Sequence, residues 1–81
     1  MTKIENLKLI LQRKTKVNNS RYLDINIEEV AREIGCNVND VYLLLKQLCI
    51  SKDIKALAQH GMGNDYYLTV LERSTIWSDW H

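Results

Sequence analysis

With 81 residues, 46% of them hydrophobic, no proline and only three glycines, the chain has room for one domain on one core, not for a second unit or an elaborate active site. Its longest apolar run, Val41 to Leu45, is far too short for a membrane span, and Met-Thr-Lys-Ile-Glu-Asn at the start lacks the apolar centre of a secretory signal. The formal net charge of +1 hides a division: Met1 to Arg21 carries six cations against Glu5 alone, and the rest carries five cations against nine acids.

The first element is a helix from about Thr2 to Lys16, with Ile4, Leu7, Ile10 and Leu11 on its buried side. Arg13 and Lys16 fall on the far side around Leu9, where the simplest reading is a solvated basic face. The sharper reading makes Arg13, Lys14, Lys16 and, further on, Arg21 a track for phosphates. A polar connection and a short extended piece near Tyr22 to Ile25 follow.

Next come two segments with matched spacing, Ile27, Val30, Ala31, Ile34 and then Val41, Leu44, Leu45, Leu48. The i, i+3, i+4, i+7 repeat puts four apolar side chains on one face of each, which predicts a pair of packed helices. Asn26 precedes Glu29 by three residues and Asn37 precedes Asp40 by three, so each helix starts on an N-cap side chain. Between them Gly35 supplies the left-handed residue that ends the first helix and opens a tight turn.

Asp53 to Gln59 and Tyr66 to Leu71 read as strands, with His60-Gly61-Met62-Gly63-Asn64-Asp65 as turn chemistry between them. Tyr66 and Tyr67 alternate across the second strand, so one faces the core and the other solvent. The order is α-β-α-α-β-β, with a domain over residues 1–72 and an aromatic tail over 73–81 that carries Trp77 and Trp80. Large aromatics at a chain end need something to pack on: their own domain, a second copy or a partner.

Ile27 to Leu48, with its Val-Ala pair, turn glycine and Val-x-x-x-Leu-x-x-Leu, resembles the helix-turn-helix of winged-helix proteins, and the strand, glycine-rich tip and returning strand that follow resemble the wing. The resemblance spans about Ile4 to Glu72. It implies an α+β fold, a small winged helix-turn-helix domain with a three-helix core and a two-stranded wing, whose second motif helix enters the DNA major groove. The motif is generic and names a fold rather than a task.

On a helical wheel the outward side of that second helix carries Asn39, Asp40, Tyr42, Leu43, Lys46, Gln47 and Ile50, only one of them a cation. If the protein reads duplex DNA, the residues to test are Asn37, Asn39, Tyr42, Leu43, Lys46 and Gln47, with Lys52, Lys55 and the Arg13, Lys14, Lys16, Arg21 series adding phosphate contacts. Asn and Gln suit adenine edges, and Leu43 suits a thymine methyl. The competing reading takes Tyr42, Leu43 and Ile50, with Trp77 and Trp80, as a docking face for another protein or a second copy, and turns nucleic-acid contact toward single strands.

Cys36 and Cys49 sit beside apolar positions and read as buried thiols; with His60 and His81 they form no ligand set. No metal or other cofactor and no small-molecule substrate are expected. Nor is catalysis: Gly61-Met62-Gly63 lacks the lysine and following helix of a phosphate loop, His60 has no nucleophile pattern, and Glu28, Glu29 and Glu33 suit an exposed helix face. The expectation is a non-enzymatic, cytoplasmic nucleic-acid-binding protein, either a duplex-binding transcription regulator or an accessory factor of a mobile genetic element. Its richness in Ile, Asn and Lys fits an AT-rich genome. The alternative is an accessory subunit of a replication enzyme that binds protein or single-stranded DNA.

Overall fold

The computed structural model describes residues 2–18, 20–59, 63–71, 74, 76 and 77. The elements run α1 (Lys3–Asn18), β1 (Tyr22–Asn26), α2 (Ile27–Ile34), α3 (Val38–Ile50), β2 (Ile54–Gln59) and β3 (Asp65–Val70). The result is a small α+β fold of three helices against a three-stranded antiparallel sheet, with strand order β1-β3-β2. The extended piece expected near Tyr22 is thus a full edge strand, and the sheet has three strands where the sequence suggested a two-stranded wing. Tyr22 pairs with Thr69 and Asn26 with Asp65, because β3 offers backbone groups on both edges and β2 satisfies only one.

Local chemistry sets the helix boundaries. Asn26 Oδ1 accepts from the Glu29 backbone N–H at 3.1 Å, and Asn37 Oδ1 accepts from the Asp40 N–H at 2.8 Å. Gly35 closes α2 at φ +85°, its N–H donating to Ala31 O at 2.8 Å. At the end of α3 the same left-handed position is filled by Lys52, at φ 65°. The Lys52 N–H donates to Cys49 O and the Asp53 N–H to Leu48 O, which is the Schellman pattern with lysine where glycine is usual. A Cβ in that conformation costs roughly 1–2 kcal/mol.

The core is drawn from every element: Leu7 and Leu11 of α1, Leu23 of β1, Ile27 and Val30 of α2, Val41, Leu45 and Leu48 of α3, Ile54 of β2, and Leu68 and Val70 of β3 are all buried. Each such side chain contributes roughly 1.5–3 kcal/mol relative to exposure. Ile76, in the stretch read as a tail, is fully buried among them, and Trp77 packs partly against the same cluster. Thr15 Oγ1 donates to Gln12 O and also reaches Ile76 O, 61 positions along the chain. Trp80 and His60 to Met62 lie outside the described residues.

Asp53 joins three parts of the fold. Its carboxylate accepts from Ser51 Oγ at 2.8 Å and Ser74 Oγ at 3.0 Å, and Lys8 Nζ of α1 lies 3.7 Å away. At the other end of the sheet, the Ile27 N–H donates to Asn64 O at 2.8 Å, Asn64 Nδ2 to Glu28 and Asn26 Nδ2 to Asp65. The β2–β3 hairpin is therefore fastened to the start of α2, and its orientation relative to the helix pair is fixed.

Candidate nucleic-acid interface

Helix α3 is anchored along one side by Val41, Leu45 and Leu48, which are fully buried. Asn39, Leu43, Lys46, Gln47 and Ile50 are exposed on the other side, so the division expected from periodicity is present. Leu43 is 51% and Ile50 81% exposed, a large apolar share for a helix surface in water.

Tyr42 departs from a freely exposed ring. It is half-buried, its ring 6.0 Å from Tyr66 of β3 and tilted by 55°, with Lys46 Nζ 5.4 Å above it. The cause is tertiary: β2 packs against α3, and β3, paired to β2 with Tyr66 opposite Gln59, delivers the Tyr66 ring to the same spot. Lys46 is correspondingly held over an aromatic face rather than fully extended, a contact of roughly 0.5–1 kcal/mol at an exposed site. Asn37 is exposed, but its side-chain Oδ1 caps α3 by accepting from the Asp40 N–H, so that oxygen belongs to the helix. Asp40 is half-buried at the first turn, where its charge suits the positive end of the helix.

The cations that the sharper of the two sequence readings strings into one N-terminal track are divided by the fold. Arg13 reaches toward Glu33 of α2 at 3.8 Å, and Arg13, Lys14 and Glu33 line the same shallow depression. Lys16 is exposed farther along α1. Arg21 instead joins Lys52 and Lys55 around a different groove of about 690 Å³, between the start of β1, the α3–β2 turn and the end of β3.

Lys55 sits where the β2 register shifts: Ile54 pairs with Val70 and Ala56 with the adjacent Thr69, leaving Lys55 as the extra residue of a bulge. Two of the three cations at this groove are therefore presented by irregular backbone.

The sheet has two unlike faces. Leu23, Ile25, Leu68 and Val70 point into the core, whereas Tyr22, Asp24, Tyr67, Ala56 and Ala58 are exposed on the other side. Tyr22 and Tyr67 lie diagonally across the β1–β3 pair with ring centroids 6.5 Å apart and planes 23° from parallel. The Arg21 guanidinium carbon stands 5.9 Å from the Tyr22 centroid. Sequence reasoning weighed Tyr67 only as one of an alternating pair and gave Tyr22 no role. The period-2 pattern of Tyr22-Leu-Asp-Ile already puts Tyr22 opposite Leu23, but nothing local says that two strands bring it beside Tyr67.

Cys36 and Cys49 are half-buried free thiols. Burial pushes the Cys49 thiol up from its ordinary value, with nearby Lys46 pulling partly the other way, so it is a protonated thiol at neutral pH. Among the described residues no three His, Cys, Asp or Glu side chains gather in a way that could hold a metal ion, and no helix is long and apolar enough to cross a membrane. Comparison with protein-family models, with curated proteins and with solved structures found no match for this chain.

Proposed function

We propose that the chain is a winged helix-turn-helix protein that binds duplex DNA with the outward side of α3, acting as a small non-enzymatic regulator or an accessory factor of a mobile genetic element. One observation carries this reading. A helix held by three fully buried residues on one side presents Asn39, Leu43, Lys46 and Gln47 on the other, and a hairpin is hydrogen-bonded to the start of the preceding helix. Those side chains suit base edges, a thymine methyl and a phosphate. The element order and strand order also suit the winged-helix arrangement. A cytoplasmic location goes with this role.

With a single cation among the exposed residues of α3, electrostatic affinity is small, and binding should fall steeply with salt only if other cations join. A mobility-shift titration with duplex DNA at two salt concentrations tests the reading. Asn39→Ala and Gln47→Ala should weaken binding and relax sequence preference, each by about 1–3 kcal/mol where the contact is bidentate. Duplex affinity that neither substitution alters removes it.

The exposure of Leu43 and Ile50 favours a second reading, in which this side of α3 docks on a protein partner or a second copy. Leu43→Ser with Ile50→Ser would then abolish association while leaving DNA affinity intact; the DNA reading requires Leu43→Ser to weaken the duplex complex.

A further inference from the structure

A second surface, on the opposite side of the sheet from the helices, carries two exposed tyrosines that the duplex reading leaves unused, beside cations to which that reading gives only phosphate contacts. We infer that the outer face of the sheet and the groove at its edge bind single-stranded nucleic acid, with bases stacking on Tyr22 and Tyr67 and phosphates held by Arg21, Lys52 and Lys55. This inference is independent of what α3 contacts.

Three observations converge on it. First, Tyr22 and Tyr67 are 52% and 39% exposed although aromatic, and they lie nearly parallel, so a flat ring can continue the row. Exposed aromatic rings on a sheet are a sequence-tolerant platform, because every base has a π-face. Ala56 and Ala58 beside them on β2 add no bulk that would block approach.

Second, the cations stand where a backbone threading past those rings would run. Tyr22 and Thr69, both on the outer face, also line the groove that holds Arg21, Lys52 and Lys55. Asp53 lines it too, but its carboxylate already accepts from Ser51 and Ser74 and faces Lys8.

Third, two of the three cations are presented by irregular backbone. Lys52 occupies a left-handed position that glycine fills at no steric cost, and Lys55 is the extra residue of a bulge, a device that re-aims side chains.

Charge also gives the surface a direction. Asp24, paired in register with Tyr67, and Asp65 lie toward the hairpin end, where Asp24, Glu29 and Asp65 line a separate depression. Phosphates are repelled there and attracted at the Arg21 end. The strand must therefore leave the tyrosines over the β1 start and the α3–β2 turn.

The test is fluorescence anisotropy of labelled oligodeoxythymidine and oligouridine with the full chain, and a duplex titrated in parallel. These homopolymers stack weakly on themselves, so their bases are available. Tyr22→Ala with Tyr67→Ala should weaken single-strand binding about tenfold or more, whereas Tyr22→Phe with Tyr67→Phe, which keeps both rings, should change it less than about twofold. Lys52→Gly should raise Tm and yet weaken binding, a pairing that damage to the fold cannot produce. Asp24→Asn should tighten binding at low salt. Binding of one homopolymer but not the other supports the inference, and oligodeoxyuridine, which differs from oligouridine at the sugar alone and from oligodeoxythymidine at the methyl alone, then assigns the preference to sugar or base.

The inference is overturned if neither single strand binds the wild-type chain, if the double alanine variant binds as tightly as wild type, or if Lys46→Gln on α3 costs as much single-strand affinity as the tyrosine pair does. Failure of the duplex reading is seen separately, as duplex affinity insensitive to Asn39→Ala and Gln47→Ala.

Discussion

The outward side of α3 and the outer face of the sheet are both open to solvent, but they are built differently. The helix surface offers Asn39 and Gln47 with one cation, Lys46, and two exposed aliphatic side chains, Leu43 and Ile50. The sheet surface offers two near-parallel tyrosines with three cations at its edge. Shape suited to a groove and charge suited to phosphate thus lie on different sides of one small fold. Hydrogen-bonding groups on a helix confer selectivity, and clustered cations confer affinity. A chain that separates them can use two ligands, or two parts of one.

The largest expected effects come from contrasting the two sides of α3 itself. Leu45→Ala, at a fully buried position, should lower stability by roughly 2–5 kcal/mol, whereas Leu43→Ala on the exposed side should stay within about 0.5 kcal/mol of wild type in a urea titration. Equal losses would mean that the exposed side is covered and that the comparison of surfaces has no basis. Next in size is Asp53→Ala, which strands the buried Ser74 hydroxyl, leaves Ser51 Oγ only Leu48 O, and removes the partner of Lys8; a loss of about 1.5–3 kcal/mol is expected by thermal melting. A value near zero would show that the α3–β2 turn, and with it the groove around Arg21, is not held by this carboxylate.

Gly35→Ala should cost about 1–2 kcal/mol, from left-handed backbone alone, since beyond its two chain neighbours no atom lies within 4 Å of where the added Cβ would sit. Finding the penalty much larger would reveal a packing constraint on the α2–α3 turn beyond its dihedral angles. Lys46→Gln sharpens the charge contrast: if Lys46 meets a phosphate of duplex DNA, the slope of log affinity against log salt should become shallower by about 0.9, and an unaltered slope means it makes no such contact. The smallest effect concerns Cys49. Because burial raises its thiol, alkylation at mildly alkaline pH should run slower than for an exposed cysteine, and slower still in Lys46→Gln, where the opposing positive charge is gone. Faster alkylation in that variant would contradict the assigned cause.

What the sequence makes legible here is short-range. Asn26, Gly35 and Asn37 act through hydrogen bonds to residues three or four positions away, and a reader of the chain can see both partners at once. Helix faces are equally legible, because the apolar period alone assigns Val41, Leu45 and Leu48 inward. Contacts made across the fold are not. Thr15 meets Ile76 only because α1 and the chain after β3 are brought together, so neither burial could be inferred from neighbours. Tyr42 is half-covered because Tyr66 arrives from another element.

The candidate surfaces divide along the same line. Asn39, Lys46 and Gln47 follow from the helical wheel. The grouping of Arg21 with Lys52 and Lys55 does not, since lysine carries no signal for a left-handed residue and a bulge is a property of two paired strands. Composition assigned Arg21 to an N-terminal basic series with Arg13; the fold takes the two to different sides.

The most direct measurement for the role given to α3 is a titration of isotope-labelled protein with duplex DNA, followed amide by amide in heteronuclear NMR spectra. The account predicts that shifts concentrate on Asn39, Leu43, Lys46 and Gln47. A duplex that binds while leaving those four amides in place contradicts it.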